Sequence, residues 1–176
     1  MLFPLYSDGS VADALVDGMA GGGANKWPFP EKRALSVFFG VCDGVRALHA
    51  AGLAHRDIKP HNILLDFKRP GPDGGPTAVL MDFGSCHSCA RREIQTHQEA
   101  MLLKDEAAMH CTAPYRAPEL HDPHRGSVLD GRVDVFSLGC VLFMMAFGNN
   151  PFEPNGEFAR LALLNGKYKV PAGGRS

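Results

Sequence analysis

The sequence predicts a mainly α-helical chain interrupted by short β-hairpins. Three observations carry that expectation. From Pro30 to Ala51, apolar residues recur at helical spacing. Arg132 to Phe147 is apolar nearly all round, the pattern of a buried helix. Between them lie three short runs rich in Ile, Leu and Val, two of them joined by the turn-rich connector FKRPGPDGGP.

Taken in order, MLFPLY reads as the end of a strand and a turn. SDGSVADALVDGM suits a short helix capped by Ser or Asp. GGGANKWPFP is a breaker-rich loop. Pro30 and Glu31 fit a first helical turn, and Leu35, Phe38, Val41, Cys42, Val45 and Leu48 are expected on one apolar face. Gly52 suits the left-handed residue after the helix end. The strand candidates are LAH, NILLD and TAVLMD, the last two forming a hairpin. Residues 85–111 are polar without a sustained apolar period, and predict a long surface loop with about one helical turn. Glu157 to Asn165 predicts a short helix stopped at Gly166.

A length of 176 residues suits one domain with a real core. The formal net charge of -1 gives no support to nucleic acid or an anionic membrane as a partner. Five cysteines without a regular framework argue against a disulfide-stapled domain. No signal peptide or transmembrane segment is expected, which predicts a cytoplasmic chain. Cys86 and Cys89 have C-x-x-C spacing, with His97, His110 and Cys111 following, but zinc normally needs a second close pair.

The polar residues that flank the strands carry the chemistry. Asp57, Lys59 and Asn62 sit between two strand candidates, and Asp82-Phe83-Gly84 follows a third. A hairpin would bring Asn62 and Asp82 together, and an amide oxygen beside a carboxylate suits Mg²⁺. Lys59 can neutralise charge on a transferred phosphoryl group, while Asp57 can orient a hydroxyl and accept its proton. Alone, an Asp or Asn in a loop is usually a turn former. The ordered set is what points to phosphoryl transfer.

The set resembles the eukaryotic protein kinases. His55-Arg56-Asp57 with Lys59 and Asn62 is similar to their catalytic loop, Asp82-Phe83-Gly84 to their metal-binding triplet, and Ala117-Pro118-Glu119 to the end of their activation segment. Asp134 matches a helix Asp that bonds the catalytic-loop backbone. Lys59 and Thr112 resemble the serine/threonine class, in which the Thr hydroxyl bridges the catalytic Asp and Lys. "HRDIKPHNILLD", "VLMDFGS", "CTAPYRAPEL" and "DGRVDVFSLGCVLFMMAFGNNPFE" resemble the Numb-associated kinase family, and most closely its lipid-modified branch, known for acylated N-termini and secretory-pathway membranes.

The resemblance implies a protein-kinase-like fold, large lobe only. Residues 1–7 are expected to be the end of the small lobe and the hinge, and 8–176 a large lobe cut before its last helices. Asp57, Lys59 and Thr112 are the implied catalytic residues. Lys59, Asn62, Leu64 and Asp82 are implied at ATP, with Asn62 and Asp82 on Mg²⁺. His55 and Phe83 match two members of the apolar stack that links the lobes, and Phe83 is expected to lie against solvent. A phosphate on Ser85, Ser88 or Thr96 could pair with Arg56; the branch resemblance also implies, in place of a plain loop over residues 85–111, a helix that shapes substrate choice. The implied partners are ATP and a protein substrate, with peripheral membrane association in a full-length form. No Gly-rich phosphate loop can be placed, since Gly21-Gly22-Gly23 reads as a flexible loop. Glu119 is expected to lack its Arg partner, at a cost of roughly 3–5 kcal/mol. Weak activity, or a non-catalytic binding module, is therefore the alternative expectation.

Overall fold

A computed structural model describes residues 6, 8–20, 31–71 and 74–171. The expectations for the loop 21–30, for Pro30 and, apart from Tyr6, for the segment Phe3–Ser7 lie outside the described residues. Among the described residues the architecture is mostly helical, with three separate two-stranded antiparallel sheets. No helix among the described residues is long and apolar enough to cross a membrane.

Helix α1, Val11–Ala20, opens on a reciprocal cap. Ser10 donates to the Asp13 carboxylate from both N and Oγ, each at 2.7 Å, and its Oγ accepts from Asp13 N. Helix α2, Glu31–Ala50, buries Ala34, Val37, Val41 and Val45. Of the predicted face, Val41 and Val45 are buried, Phe38 and Cys42 pack against the core and Leu48 is half-buried, while Leu35 departs from it at 41% exposed. Strand β3 approaches the helix closely: a Cβ on Gly40 would lie 3.2 Å from the Ala78 Cβ. Gly52 has φ +81° and turns the chain out of α2 as expected.

Strand β1, Leu53–Ala54, does not join the other two predicted strands. It pairs instead with β4, His87–Ser88. Strands β2, Ile63–Pro70, and β3, Pro76–Leu80, form the expected hairpin, with Ile63 opposite Leu80 and Asp66 opposite Thr77. A third sheet joins β5, Arg92–Glu93, to β6, Val128–Leu129.

Residues 85–111 depart most from expectation. They contain helix α3, His97–His110, fourteen residues long, where the residue pattern predicted a surface loop and only the branch resemblance implied a helix. Its inward positions, Ala100, Leu103 and Ala107, are mostly small, so hydrophobic periodicity is weak. The missed signal is local. Thr96 Oγ1 accepts from Glu99 N at 3.1 Å, and the Glu99 carboxylate accepts from Gln95 N, a capping arrangement legible as T-x-x-E. A short helix α4, Pro118–His121, precedes α5, Arg132–Phe147, which has the predicted bounds. Helix α6 spans Arg160–Leu164, and Gly166 at φ +60° ends it.

Two apolar clusters result. The larger joins α1, α2, the hairpin, α5 and α6 through residues such as Leu15, Val41, Ile63, Val141, Met145 and Leu163. The smaller lies under α3 and α4, around Ile94, Leu103, Ala107 and Leu120, and Phe136 packs against both. The region around residues 53–62 is thereby gripped from two sides.

Thr96→Ala should remove the α3 cap at a cost of about 1 kcal/mol. Amide exchange in the first turns of α3 should rise about fivefold, while α5 keeps its protection.

Candidate active site

The loop between β1 and β2 is fixed from below. Asp134 on α5 is fully buried, and its carboxylate accepts from His55 N and Arg56 N, both at 2.8 Å. His49 Nε2 lies 2.7 Å from the same carboxylate, and the absence of a Cβ at Gly131 leaves room for its ring. With its backbone held this way, Arg56 adopts φ +68°, rare for a residue with a side chain.

His55 is fully buried. Its Nδ1 accepts from Asp57 N at 3.3 Å, which leaves Nε2 as the donor to Met81 O at 3.0 Å. One neutral imidazole thus joins the loop to the end of β3. Phe83 packs on it at 5.5 Å and is 54% exposed, in line with the expectation from sequence.

Asp57, Lys59, Asn62 and Thr112 form one hydrogen-bonded cluster. Lys59 Nζ donates to Asp57 Oδ2 at 2.8 Å and to Thr112 Oγ1 at 2.7 Å. Thr112 N donates to Asp57 Oδ1 at 2.8 Å. Asn62 Nδ2 donates to Asp57 O at 2.9 Å and Oδ2 at 3.1 Å. Burial pushes the Asp57 carboxyl up, but the hydrogen bonds from Lys59 and Thr112 outweigh it, so the pKa is lowered overall. An ionised carboxylate with about four acceptor sites and three donors keeps room for one more.

Asp82 arrives from the other strand. Met81 N donates to Asn62 O at 3.0 Å, which sets the hairpin end beside the loop. Asp82 itself has φ +63°, and its Oδ1 accepts from Gly84 N. Asp57, Lys59, Asp82, Gly84, Met109 and Thr112 line an open cleft of about 360 Å³. Asp82 brings carboxylate oxygens to the cleft. Asn62 is buried, spends its NH₂ on Asp57 and does not itself line the cleft. A carboxylate with an amide oxygen is a hard donor pair of the kind that suits Mg²⁺. Leu64 is half-buried, bridges to Ser10 and does not line this cleft.

The other sequence candidates have different surroundings. Arg56 Nη1 donates to Glu106 Oε1 on α3 at 3.0 Å, a partner that sequence reading missed along with the helix. Ser85 Oγ donates to His110 O, and Thr96 serves as the α3 cap. Glu119 is half-buried and has no ion pair among the described residues. Burial, then the charge of Asp130, push its carboxyl up, while the Glu119 backbone and Arg132 act against them. Cys89 Sγ contacts His49 O, and the described residues contain no cluster of three His, Cys, Asp or Glu side chains able to hold a metal.

Comparison with known proteins adds the family. A family profile described as "Protein kinase domain" matches residues 1–166. Serine/threonine-protein kinase 16 of Rattus norvegicus is 44% identical over 138 residues, covering 77% of this chain and 43% of the relative. Its Homo sapiens counterpart matches with the same identity and coverage. A probable serine/threonine-protein kinase of Dictyostelium discoideum is 33% identical over 230 residues, covering 96% of this chain and 62% of the relative. The chain spans less than half the length of the two mammalian relatives.

Two outcomes follow from this geometry. Asp134→Asn should place an NH₂ against buried N–H donors and cost about 1–3 kcal/mol, read as a lower urea midpoint. For Asp57, the folded pKa lies below the ordinary value of 3.8, so its contribution to stability is complete above that value and is lost as pH falls through the folded pKa. Asp57→Asn should therefore flatten the acid limb of a pH–stability profile below about pH 4.

Proposed function

The chain belongs to the protein kinase domain family, and from that premise we propose that it carries the phosphoryl-transfer site of a protein serine/threonine kinase. The observation that carries this reading is the cluster of Asp57, Lys59 and Thr112 on a cleft shared with Asp82. Asp57 is the group that orients a Ser or Thr hydroxyl and takes its proton as the new O–P bond forms. Lys59 places its ammonium beside that carboxylate and faces the γ-phosphoryl group. Thr112 holds both in register. Asn62 and Asp82 are the residues that would hold Mg²⁺, which when bound neutralises charge on the phosphates of ATP. Leu64 belongs to this proposal as an adenine contact.

The same proposal extends to organisation and family branch. Residues 8–176 are read as the large lobe, and 1–7 as the interlobe segment. Identity to serine/threonine-protein kinase 16 supports placement among the Numb-associated kinases, in the lipid-modified branch. Peripheral association with membranes belongs to that placement, as does a protein as the phosphoryl acceptor.

The test is transfer of γ-phosphate from Mg·ATP to a general Ser/Thr protein substrate. Asp57→Asn should lower kcat by about 10²–10⁴-fold. Asn62→Ala and Asp82→Asn should raise the Mg²⁺ concentration needed for half-maximal rate. Mg²⁺-dependent thermal stabilisation by ATP should be lost in Asp82→Asn. A chain that neither transfers phosphate nor is stabilised by Mg·ATP would be a non-catalytic binding module instead.

A further inference from the structure

Between His110 and Tyr115 the chain passes the cleft, and each backbone carbonyl of that stretch accepts a hydrogen bond. Ser85 Oγ donates to His110 O, and Arg116 Nη2 to Cys111 O. Tyr115 N donates to Thr112 O. Asn150 Nδ2 reaches Pro114 O at 3.3 Å, and Ser137 Oγ reaches Tyr115 O at 2.7 Å. Ala113 O accepts from Arg116 N at 3.3 Å and, more closely, from His121 Nε2 at 2.8 Å. A carbonyl only accepts, so Nε2 carries the proton. Of these side-chain donors, His121 is the one whose charge changes near neutral pH.

His121 ends α4 and is only 4% exposed. Its ring stacks on Phe158 with centroids 5.4 Å apart, and its own carbonyl accepts from Arg160 Nη2 of α6 at 3.2 Å. The imidazole is thus wedged between the α6 region and Ala113, the residue that follows Thr112. Thr112 in turn holds Asp57 through its backbone N and Lys59 through its hydroxyl. Arg116 from the segment and Arg160 from α6 face the ring. Asp122, next in the chain, is already shared between Arg160 at 3.4 Å and Lys104 of α3 at 4.0 Å. Glu119, on the same helix, lies toward Asp130 and Arg132. Burial lowers the His121 pKa; the Ala113 carbonyl acts against it, and Arg116 and Arg160 reinforce it.

We infer that His121 is a positioning residue: by donating from its buried ring to Ala113 O, it holds the segment that sets Thr112 on Asp57 and Lys59. The serine, asparagine and arginine donors keep their grip whatever the pH near neutrality. A proton on His121 instead places another buried cation beside Arg116 and Arg160, with no free carboxylate to meet it among the groups that face the ring. Because the folded state favours the neutral ring, its contribution is complete above the ordinary value of 6.5 and is lost as pH falls through the lower folded value. Its effect on rate rests on the phosphoryl-transfer reading; its effect on the backbone does not.

The test compares amide protection in the full chain, corrected for intrinsic exchange, at about pH 7.5 and about pH 5.5, on either side of the ordinary histidine value. Protection at Thr112 and Tyr115 should fall about fivefold at the lower pH, the scale of one hydrogen bond, while α5 keeps its protection. His121→Gln, which offers a donor without a titrating ring, should stay protected at both pH values. His121→Phe, which keeps the stack on Phe158 without the donor, should lose about fivefold at both. His124→Gln, which alters an exposed histidine, should leave the fall in place. In phosphoryl transfer, His121→Phe should lower kcat about fivefold with little change in KM for ATP, and His121→Gln should move the acid limb of kcat to lower pH. Constant protection at Thr112 and Tyr115 across the two pH values in the parent chain would overturn the inference. So would an equal fall in His121→Gln, full protection in His121→Phe, or an equal fall in α5. A parent chain that transfers no phosphate would count against the phosphoryl-transfer reading, while the exchange result would still decide the role of His121.

Discussion

One buried carboxylate sets the geometry on which the rest of the site depends. Asp134 is fully buried, a costly place for a charge unless its oxygens are hydrogen-bonded. It is served by two consecutive backbone N–H groups and by His49. The N–H groups of His55 and Arg56 converge on this one side chain, and the chain then leaves it through the left-handed Arg56. Such backbone strain costs about 1–3 kcal/mol. Hydrogen bonds to a charged group contribute roughly 1.5–3 kcal/mol each, enough to offset it. The carboxylate thus ties the start of α5, the end of α2 and the loop into one unit.

The hairpin extends that unit to the opposite wall of the cleft. Because Ile63 pairs with Leu80, Asn62 and Met81 meet at the strand ends, and Asp82 leaves the sheet beside the loop. His55 makes the junction specific. Its imidazole accepts from the Asp57 backbone N–H and donates to Met81 O, so one ring relates the backbone of Asp57 to the residue preceding Asp82. Asp57 and Lys59 reach the cleft from the loop, Asp82 from just beyond β3 and Thr112 from just beyond α3, and the hydrogen bonds that tie these segments together keep their relative positions narrow.

Much of this was legible in the sequence, for reasons that separate along physical lines. The hairpin, α5 and the Gly52 turn were readable because local propensity and tertiary packing agree there. The cluster of Asp57, Lys59, Asn62 and Thr112 was readable because phosphoryl transfer restricts residue types and order. Helix α3 was implied only by resemblance and not by periodicity, because its inner face uses alanines, which carry little hydrophobic signal, and only Thr96 and Glu99 mark its start. Missing the helix also hid Glu106, since its pairing with Arg56 joins residues fifty positions apart. Leu35 shares the apolar period of α2 yet is 41% exposed, while the smaller Ala34 beside it is the buried residue of that turn. The pairing of β1 with β4 is non-local.

Three carboxylates in this chain show how environment, rather than residue type, divides the work. Asp134 is sealed from solvent and spends its hydrogen-bonding capacity on backbone and His49, so it can only anchor. Glu119 is half-buried, with burial pushing its carboxyl up, a state that favours the neutral form. Asp57 is buried as well, yet Lys59 and Thr112 hold it ionised, and it alone of the three faces the cleft. An acceptor of protons must be charged before it acts and must have a lone pair left to use. Asp57 meets both conditions because its donors stabilise the charge without saturating the oxygens. The contacts that keep it ionised arrive from Thr112, just beyond the end of α3, and from the loop through Lys59. The chemistry of the site is thus inseparable from the placement of the helix that sequence periodicity left unmarked.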